Sequence, residues 1–200
     1  MNTIAAQARL GSHYTTSATP FGELVLVWRE ERLHEGHMRA LLRRIYLPRD
    51  GASPLPQALA EHPGIMPGEH PVMAILAGTL TRTLRGEADT LSLALADLAL
   101  CPDFQRRVLH AEHAVPRGCV TTYGRLAAHL GAPEAARAVG SALARNPFPL
   151  LIPCHRALRA DLSLGGYQGG LAMKRALLEM EGLTLVGRRV QVAASSVWYP

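Results

Sequence analysis

The hydrophobic pattern of this chain changes character at Cys101-Pro102-Asp103, and that change limits the fold more than any other feature. Before it, strand-like runs dominate: Gly22 to Trp28 and Arg43 to Pro48 are rich in branched and aromatic residues, which pack well on a pleated surface. After it, apolar residues recur at helical spacing. Pro102 in a first turn followed by Asp103 is a helix start, and Phe104, Val108, Leu109 and Ala111 supply a stripe that stops at Pro116-Arg117-Gly118. The expected architecture is α/β of the α+β kind. A small N-terminal α/β domain with an antiparallel sheet spans residues 1–98, and a mainly helical domain with a helix-turn-helix spans residues 99–200.

Within the first half, Met1 to about Pro20 carries Ser, Thr and Gly with little periodicity and is expected to be a loose lead-in. Arg49 to Pro67, crowded with Pro and Gly, is expected to be loop. Val72 to Arg85 fits a helix stopped by Gly86, and Leu91 to Leu100 fits a further strand. His34, His37, His62 and His70 read as surface residues rather than ligands.

A hydrophobic content of 48% supports a packed core. The formal net charge of +5 suits an acidic partner such as nucleic acid without demanding one. Lys174 is the one lysine; the other long cationic side chains are arginines. No stretch approaches the about eighteen consecutive apolar residues of a membrane span, and the N-terminus lacks the regions of a signal peptide. The chain is therefore expected to be cytoplasmic, or nuclear in a eukaryote, with no membrane partner. Cys101, Cys119 and Cys154 are few, odd in number and widely spaced, which argues against a disulfide framework. No C-x-x-C or H-E-x-x-H spacing occurs, and neither metal nor cofactor is expected.

In the second half, Thr121 or Thr122 can cap a helix through Tyr123, Leu126, Ala127 and Leu130 that Gly131 ends. A turn at Ala132-Pro133 leads to a helix from Glu134 to about Arg145, completing a helix-turn-helix. This second helix is thin, with Ala135, Ala136, Ala138, Gly140, Ser141, Ala142 and Ala144, and only Arg137 and Arg145 as long polar arms. Small residues allow either close packing on a neighbouring helix or approach to a narrow minor groove.

Next comes Ile152-Pro153-Cys154-His155-Arg156, after the apolar run Pro149 to Ile152, which reads as a short buried strand. A thiol there is either an inert small hydrophobe or a nucleophile, for which His155 and Arg156 supply a base and a charge. The glycines of Gly165-Gly166-Tyr167-Gln168-Gly169-Gly170 permit close approach to a ligand, with Tyr167 as a stacking surface. On the helix from Leu171 to Glu181, the residues Leu171, Lys174, Leu178 and Glu181 share a face, so Glu181 is placed to orient His155 or to remain a solvated helix-end acid. The tail from Leu183 carries one short strand-like piece and then loop.

Together, Arg137-Ala138-Val139-Gly140, Asn146-Pro147, Ile152 to Arg156, Gly166-Tyr167-x-Gly169-Gly170 and Lys174 through Glu181-Gly182 closely resemble the O6-alkylguanine-DNA alkyltransferases. The resemblance is strong from about Phe104 to Gly182 and holds only in outline before Leu91. It implies a protein that flips an alkylated guanine, mainly O6-methylguanine, from duplex DNA and moves the alkyl group irreversibly to its own cysteine, with O4-methylthymine left open as a second substrate. It further implies that Cys154 is the acceptor, activated through a water by His155, which Glu181 orients. Arg137 resembles the finger that fills the space of the flipped nucleotide. Tyr123 resembles the residue that rotates the phosphate and donates to the guanine ring. Asn146 matches the hinge that bonds backbone near the cysteine, and Lys174 the lysine near the pocket. Tyr167 and Pro149 would line the base pocket, and the backbone at Ala157 and Gln168 would read the guanine edge. Ala135, Ala138, Ser141 and Arg145 would join Arg137 on the DNA, in the minor groove, with the protein a monomer.

Two departures from the family pattern stand out. Gln168 replaces a small residue at the pocket rim, which would limit bulky alkyl groups, and Leu162 stands where glycine is usual, implying a different turn between Asp161 and Gly165. Three rival readings are a non-transferring alkylguanine binder, a cysteine hydrolase using Cys154 and His155, and a helix-turn-helix transcription factor. Cys154 speaks against the first, and the alanines on the second helix speak against the last.

Overall fold

The structure, a computed structural model, describes residues 11–32, 37–87 and 91–199. Its N-terminal sheet has the order β3-β2-β1-β4, built from β1 (Ser12–Thr19), β2 (Gly22–Arg32), β3 (Met38–Tyr46) and the two-residue β4 (Met66–Pro67). The first two pairings are antiparallel, and β4 joins β1 in parallel. Strand β2 is apolar without alternation from Leu24 to Val27 because both of its faces are covered. Leu24, Leu26 and Trp28 join the main core, whereas Val25 and Val27 meet Tyr46, Ala58 and Ile65 in a smaller one.

Three expectations for this half are corrected. The lead-in contains β1: its hydroxyl and aromatic side chains suit a half-buried strand, and β2 pairs it along its whole length. Residues 1–10 and His34 lie outside the described residues. The segment from Arg49 to Pro67 holds α1 (Leu55–Glu61), whose proline sits in the first turn, where a missing N–H costs nothing, and whose Ala58 faces the smaller core. Leu91 to Leu100 forms two 3-10 turns, Leu93–Leu95 and Leu98–Leu100, rather than a strand; the Ser92 hydroxyl caps the first, and only Ala96 bridges to Leu42. Helix α2 (Pro71–Thr83) packs Met73, Leu76, Ala77 and Leu80 inward and ends before Gly86, which holds φ +87°.

The second half is mainly helical: α3 (Asp103–His113), α4 (Tyr123–His129), α5 (Ala136–Ala144) and α6 (Gly170–Met180). The Thr122 hydroxyl accepts from Arg125 N at 3.2 Å and caps α4, and a 3-10 turn at Pro133–Ala135 precedes α5. One apolar cluster runs from Leu24 through Val108, Leu126 and Val139 to Ile152, so sheet and helices share a core. Ile45 N donates to Pro147 O at 2.8 Å across it.

Pro149 to Ile152 is buried but is not a strand. Leu150 takes φ +72°, Ile152 N donates to Phe148 O, and the prolines at 147, 149 and 153 remove ladder donors, so the run closes as a turn. The tail holds two strands rather than one piece, β7 (Thr184–Val186) and β8 (Arg189–Gln191), and then returns to Val120, whose carbonyl accepts from Trp198 N at 2.7 Å. No helix among the described residues is long and apolar enough to cross a membrane.

Candidate active site

Cys154 opens a 3-10 turn, Cys154–Arg156, on the far side of Pro153. The turn leads into β6 (Ala157–Leu158), which pairs in parallel with β5 (Thr121–Thr122) and anchors the cysteine beside the start of α4. Asn146, at 0% exposure, ties this region together. Its Oδ1 accepts from Phe148 N at 2.9 Å, while Nδ2 donates to Ile152 O at 3.1 Å and to Cys154 Sγ at 3.3 Å. Burial pushes the Cys154 thiol up to about 11, although the Asn146 hydrogen bond and the charge of Lys174 pull the other way. The sulfur is therefore a thiol at rest, and its thiolate must form during a reaction.

His155 lies beyond it. Its Nε2 is 2.9 Å from Glu181 Oε1. Burial alone would raise the Glu181 carboxyl, but hydrogen bonds and charge from His155 and Arg156 overcome that and hold it at about 2. An ionised carboxylate only accepts, so Nε2 must carry the proton. Burial lowers the His155 pKa, and in the neutral ring Nδ1 is then the bare nitrogen; it is buried and without a hydrogen-bond partner. Glu181 thus selects the tautomer that can take up a proton. Arg156, a candidate for the charge that acts on the thiol, is engaged elsewhere: its Nε and a terminal nitrogen grip Glu181 at 2.9 and 2.7 Å, and another donates to Val115 O at 2.6 Å. Only the fold reveals that clamp.

Cys154 forms one wall of a cavity of about 270 Å³. Tyr123 from α4, Gly140, Leu143 and Ala144 from α5, and Gly166, Tyr167 and Gln168 from the glycine-rich loop close it. The loop lies so near Tyr123 that a Cβ at Gly165 would collide with the tyrosine hydroxyl. Gln168 Nε2 donates to Asn146 O at 2.7 Å and to Ala144 O at 3.2 Å, strapping the cavity rim to the end of α5. Tyr167 packs edge-on to His155, with ring centroids 6.2 Å apart. A second cavity lies on the other side of the cysteine turn, with His113, Arg117, His155 and Arg156 on its wall.

The small residues of helix α5 divide between a packed side and a solvent-facing side. Val139, Ala142 and Leu143 are buried, while Arg137, Ala138, Ser141 and Arg145 are exposed and Ala135 is half-buried. Lys174 is fully buried, its Nζ donating to Ala157 O at 2.7 Å, and burial lowers it to about 8. Pro149 and Ala157 are buried but do not belong to the cavity wall, and the Ala157 carbonyl is occupied by Lys174. Leu162 takes φ +59°, the left-handed conformation that glycine adopts freely. Sequence reasoning passed over Gln105, whose amide donates to Ala142 O and Arg145 O and joins α3 to α5. It also passed over Glu112, four residues after Val108 on the apolar face of α3, a spacing that could have flagged it.

Residues 103–183 match the family described as 6-O-methylguanine DNA methyltransferase, DNA binding domain. A methylated-DNA–protein-cysteine methyltransferase of Methanothermobacter thermautotrophicus is 45% identical over 120 residues, which cover 59% of this chain and 67% of that protein. The constitutive methylated-DNA–protein-cysteine methyltransferase of Bacillus subtilis is 32% identical and is covered over 97% of its length, with 86% of this chain. Against a Mycobacterium tuberculosis relative the sequence match reaches 51% identity but spans only 48% of that protein, about half its length. The crystal structure of Mycobacterium tuberculosis OGT in complex with DNA superposes with a TM-score of 0.65 at 33% identity, covering 84% of this chain and 92% of that one.

Proposed function

The chain belongs to the methylated-DNA–protein-cysteine methyltransferases, and from that premise we propose that it repairs DNA by moving the alkyl group of O6-alkylguanine to Cys154, once and irreversibly. The observation that carries this reading is the position of Cys154 in a cavity that Gly140, Leu143 and Ala144 of α5 help to line, on the helix that also offers small residues and arginines to solvent. A base turned out of a duplex held on α5 would enter that cavity without crossing another element. O6-methylguanine in double-stranded DNA, approached from the minor groove by one copy of the protein, is the substrate this arrangement suits.

The transfer is an in-line displacement at carbon: the S–C bond forms as the C–O6 bond breaks. The thiol proton goes through a water to His155 Nδ1, and Glu181, held in place by Arg156, stabilises the imidazolium that results. Asn146 Nδ2 and Lys174 support the developing thiolate. The electron pair of the broken bond stays on the purine, where the Tyr123 hydroxyl donates to the ring. The lesion is itself the alkyl donor, and no step calls on a cofactor.

Mixing the protein with a duplex bearing O6-methylguanine should add one methyl group per molecule, mapped by peptide mass spectrometry to Cys154. Repeated turnover, or binding without a change in mass, would overturn the reading. The Gln168 strap gives a second expected result: Gln168→Ser should raise the rate on O6-benzylguanine relative to O6-methylguanine by roughly tenfold, since a pocket that gains a few atoms of space discriminates by about 1–3 kcal/mol. Competition between the two substrates measures it, and an unchanged ratio would separate the strap from alkyl selection.

A further inference from the structure

Helix α3 carries a side chain that the reaction above does not use. Glu112 is 0% exposed, and neither of its carboxylate oxygens has a hydrogen-bond partner. The other acids drawn into the interior are paired, Asp97 with Arg29 and Glu181 with Arg156 and His155. A carboxylate shut away from water and from donors resists ionisation. Burial accordingly pushes Glu112 up to about 8, against the pull of Lys174 and Arg156.

The titratable groups that feel its charge come from several elements. Cys154 and Arg156 belong to the 3-10 turn, Lys174 to α6, Tyr123 to α4 and Tyr199 to the C-terminal tail. Helix α5 brings no charged side chain to it: its buried residues are Val139, Ala142 and Leu143, and Arg137 and Arg145 are exposed. Arg156 is committed to Glu181 and Val115, whereas Lys174 makes no ion pair among the described residues and donates only to a carbonyl. The charge around the sulfur is thus set largely by two groups: Lys174, which favours a thiolate, and Glu112, which opposes one when ionised.

We propose that Glu112 is a positioning residue that sets the alkaline limit of alkyl transfer: uncharged, it leaves Lys174 unopposed beside the developing thiolate, and ionised, it cancels that support. This rests on Cys154 as the acceptor. No bond to the substrate forms at Glu112; as pH rises its proton passes to solvent. The sign is fixed by counting charge. With glutamine at 112, the sulfur's surroundings are at every pH at least as positive as in the wild type, because the wild type can lose a proton from either of two groups and the variant from one.

Single-turnover rates of the wild type and Glu112→Gln, on the methylated duplex and on the free base, test this across the neutral and alkaline range. Below the ionisation of Glu112 the two proteins should agree within about twofold, and beyond it the variant should become faster by roughly tenfold, as one unit charge at short range implies. A ratio that does not change with pH overturns the proposal, whatever its absolute value. Should the variant fail to fold, the wild type alone decides: its infrared spectrum must show a protonated-carboxyl band that disappears on raising the pH through about 8, and the lack of that band refutes the idea. Should the wild type take up no methyl group at any pH, the acceptor reading fails by itself. The Glu112 effect is then read from thiolate absorbance, which should develop at lower pH in Glu112→Gln; coincident titrations would end it.

Discussion

Glu181→Gln should slow methyl transfer by roughly two to four orders of magnitude, the usual worth of a positioned base, and destabilise the fold by about 3–5 kcal/mol, as when one partner of a buried ion pair is removed. The side chain is only 4% exposed, and its two oxygens receive His155 and Arg156. Glutamine preserves the shape but has one acceptor oxygen. If that oxygen stays with Arg156, the amide N–H faces His155 Nε2, and the ring must move its proton to Nδ1. The nitrogen meant to receive the thiol proton is then already occupied. The pH dependence supplies an independent check. A carboxyl held at about 2 against an ordinary value of 4.5 contributes stability that is complete above the ordinary value and is lost as pH falls towards 2. The stability gap between wild type and variant in urea titrations should therefore be widest near neutral pH and close on acidification. A variant that transfers methyl at the wild-type rate would remove Glu181 from the proton relay.

The legible parts of this molecule are those whose chemistry is written locally. Thr122 as a helix cap, Gly131 as a terminator and the helical stripe from Phe104 to Ala111 are short-range signals, and they returned α3, α4 and α5 within a few residues of their observed ends. The cysteine turn and the glycine-rich loop were conspicuous for the same reason. Pro149 to Ile152 misled because burial was mistaken for extension: the prolines that deny the run its ladder bonds carried more information than its hydropathy. Strand β1 escaped notice because its Ser and Thr residues resemble a linker until β2 is seen to pair with them. The Arg156 clamp joins residues 25 apart, and Gln105 reaches a helix end 40 residues away, so neither partner can be chosen from spacing alone.

Arg137→Ala should cut repair of duplex substrate by about two orders of magnitude, the equivalent of the few kcal/mol needed to unstack and extrude a nucleotide, while changing the reaction with free O6-methylguanine by less than about twofold. The geometry behind this split is that α5 carries both the arginine and part of the cavity wall. Arg137 stands exposed in the first turn, and no hydrogen bond or ion pair holds it among the described residues. Gly140, Leu143 and Ala144 of the same helix form the cavity wall opposite Cys154. An arginine free to enter the stack therefore shares a stripe of α5 with Gly140 and Ala144, three and seven residues further on, beside the place where the extruded base must arrive. Free base needs the cavity but not the extrusion, so it reports on the sulfur and its relay alone. Because the side chain is exposed, its removal should shift stability by no more than about 0.5 kcal/mol, which separates a loss of flipping from a loss of fold. Arg137→Lys makes the assignment sharper: it keeps the charge and so most of the affinity for phosphate, but it lacks the planar fork that can stack in the vacated space, and its duplex rate should fall between those of wild type and alanine. Equal losses on duplex and free base would instead make Arg137 part of the cavity's own architecture.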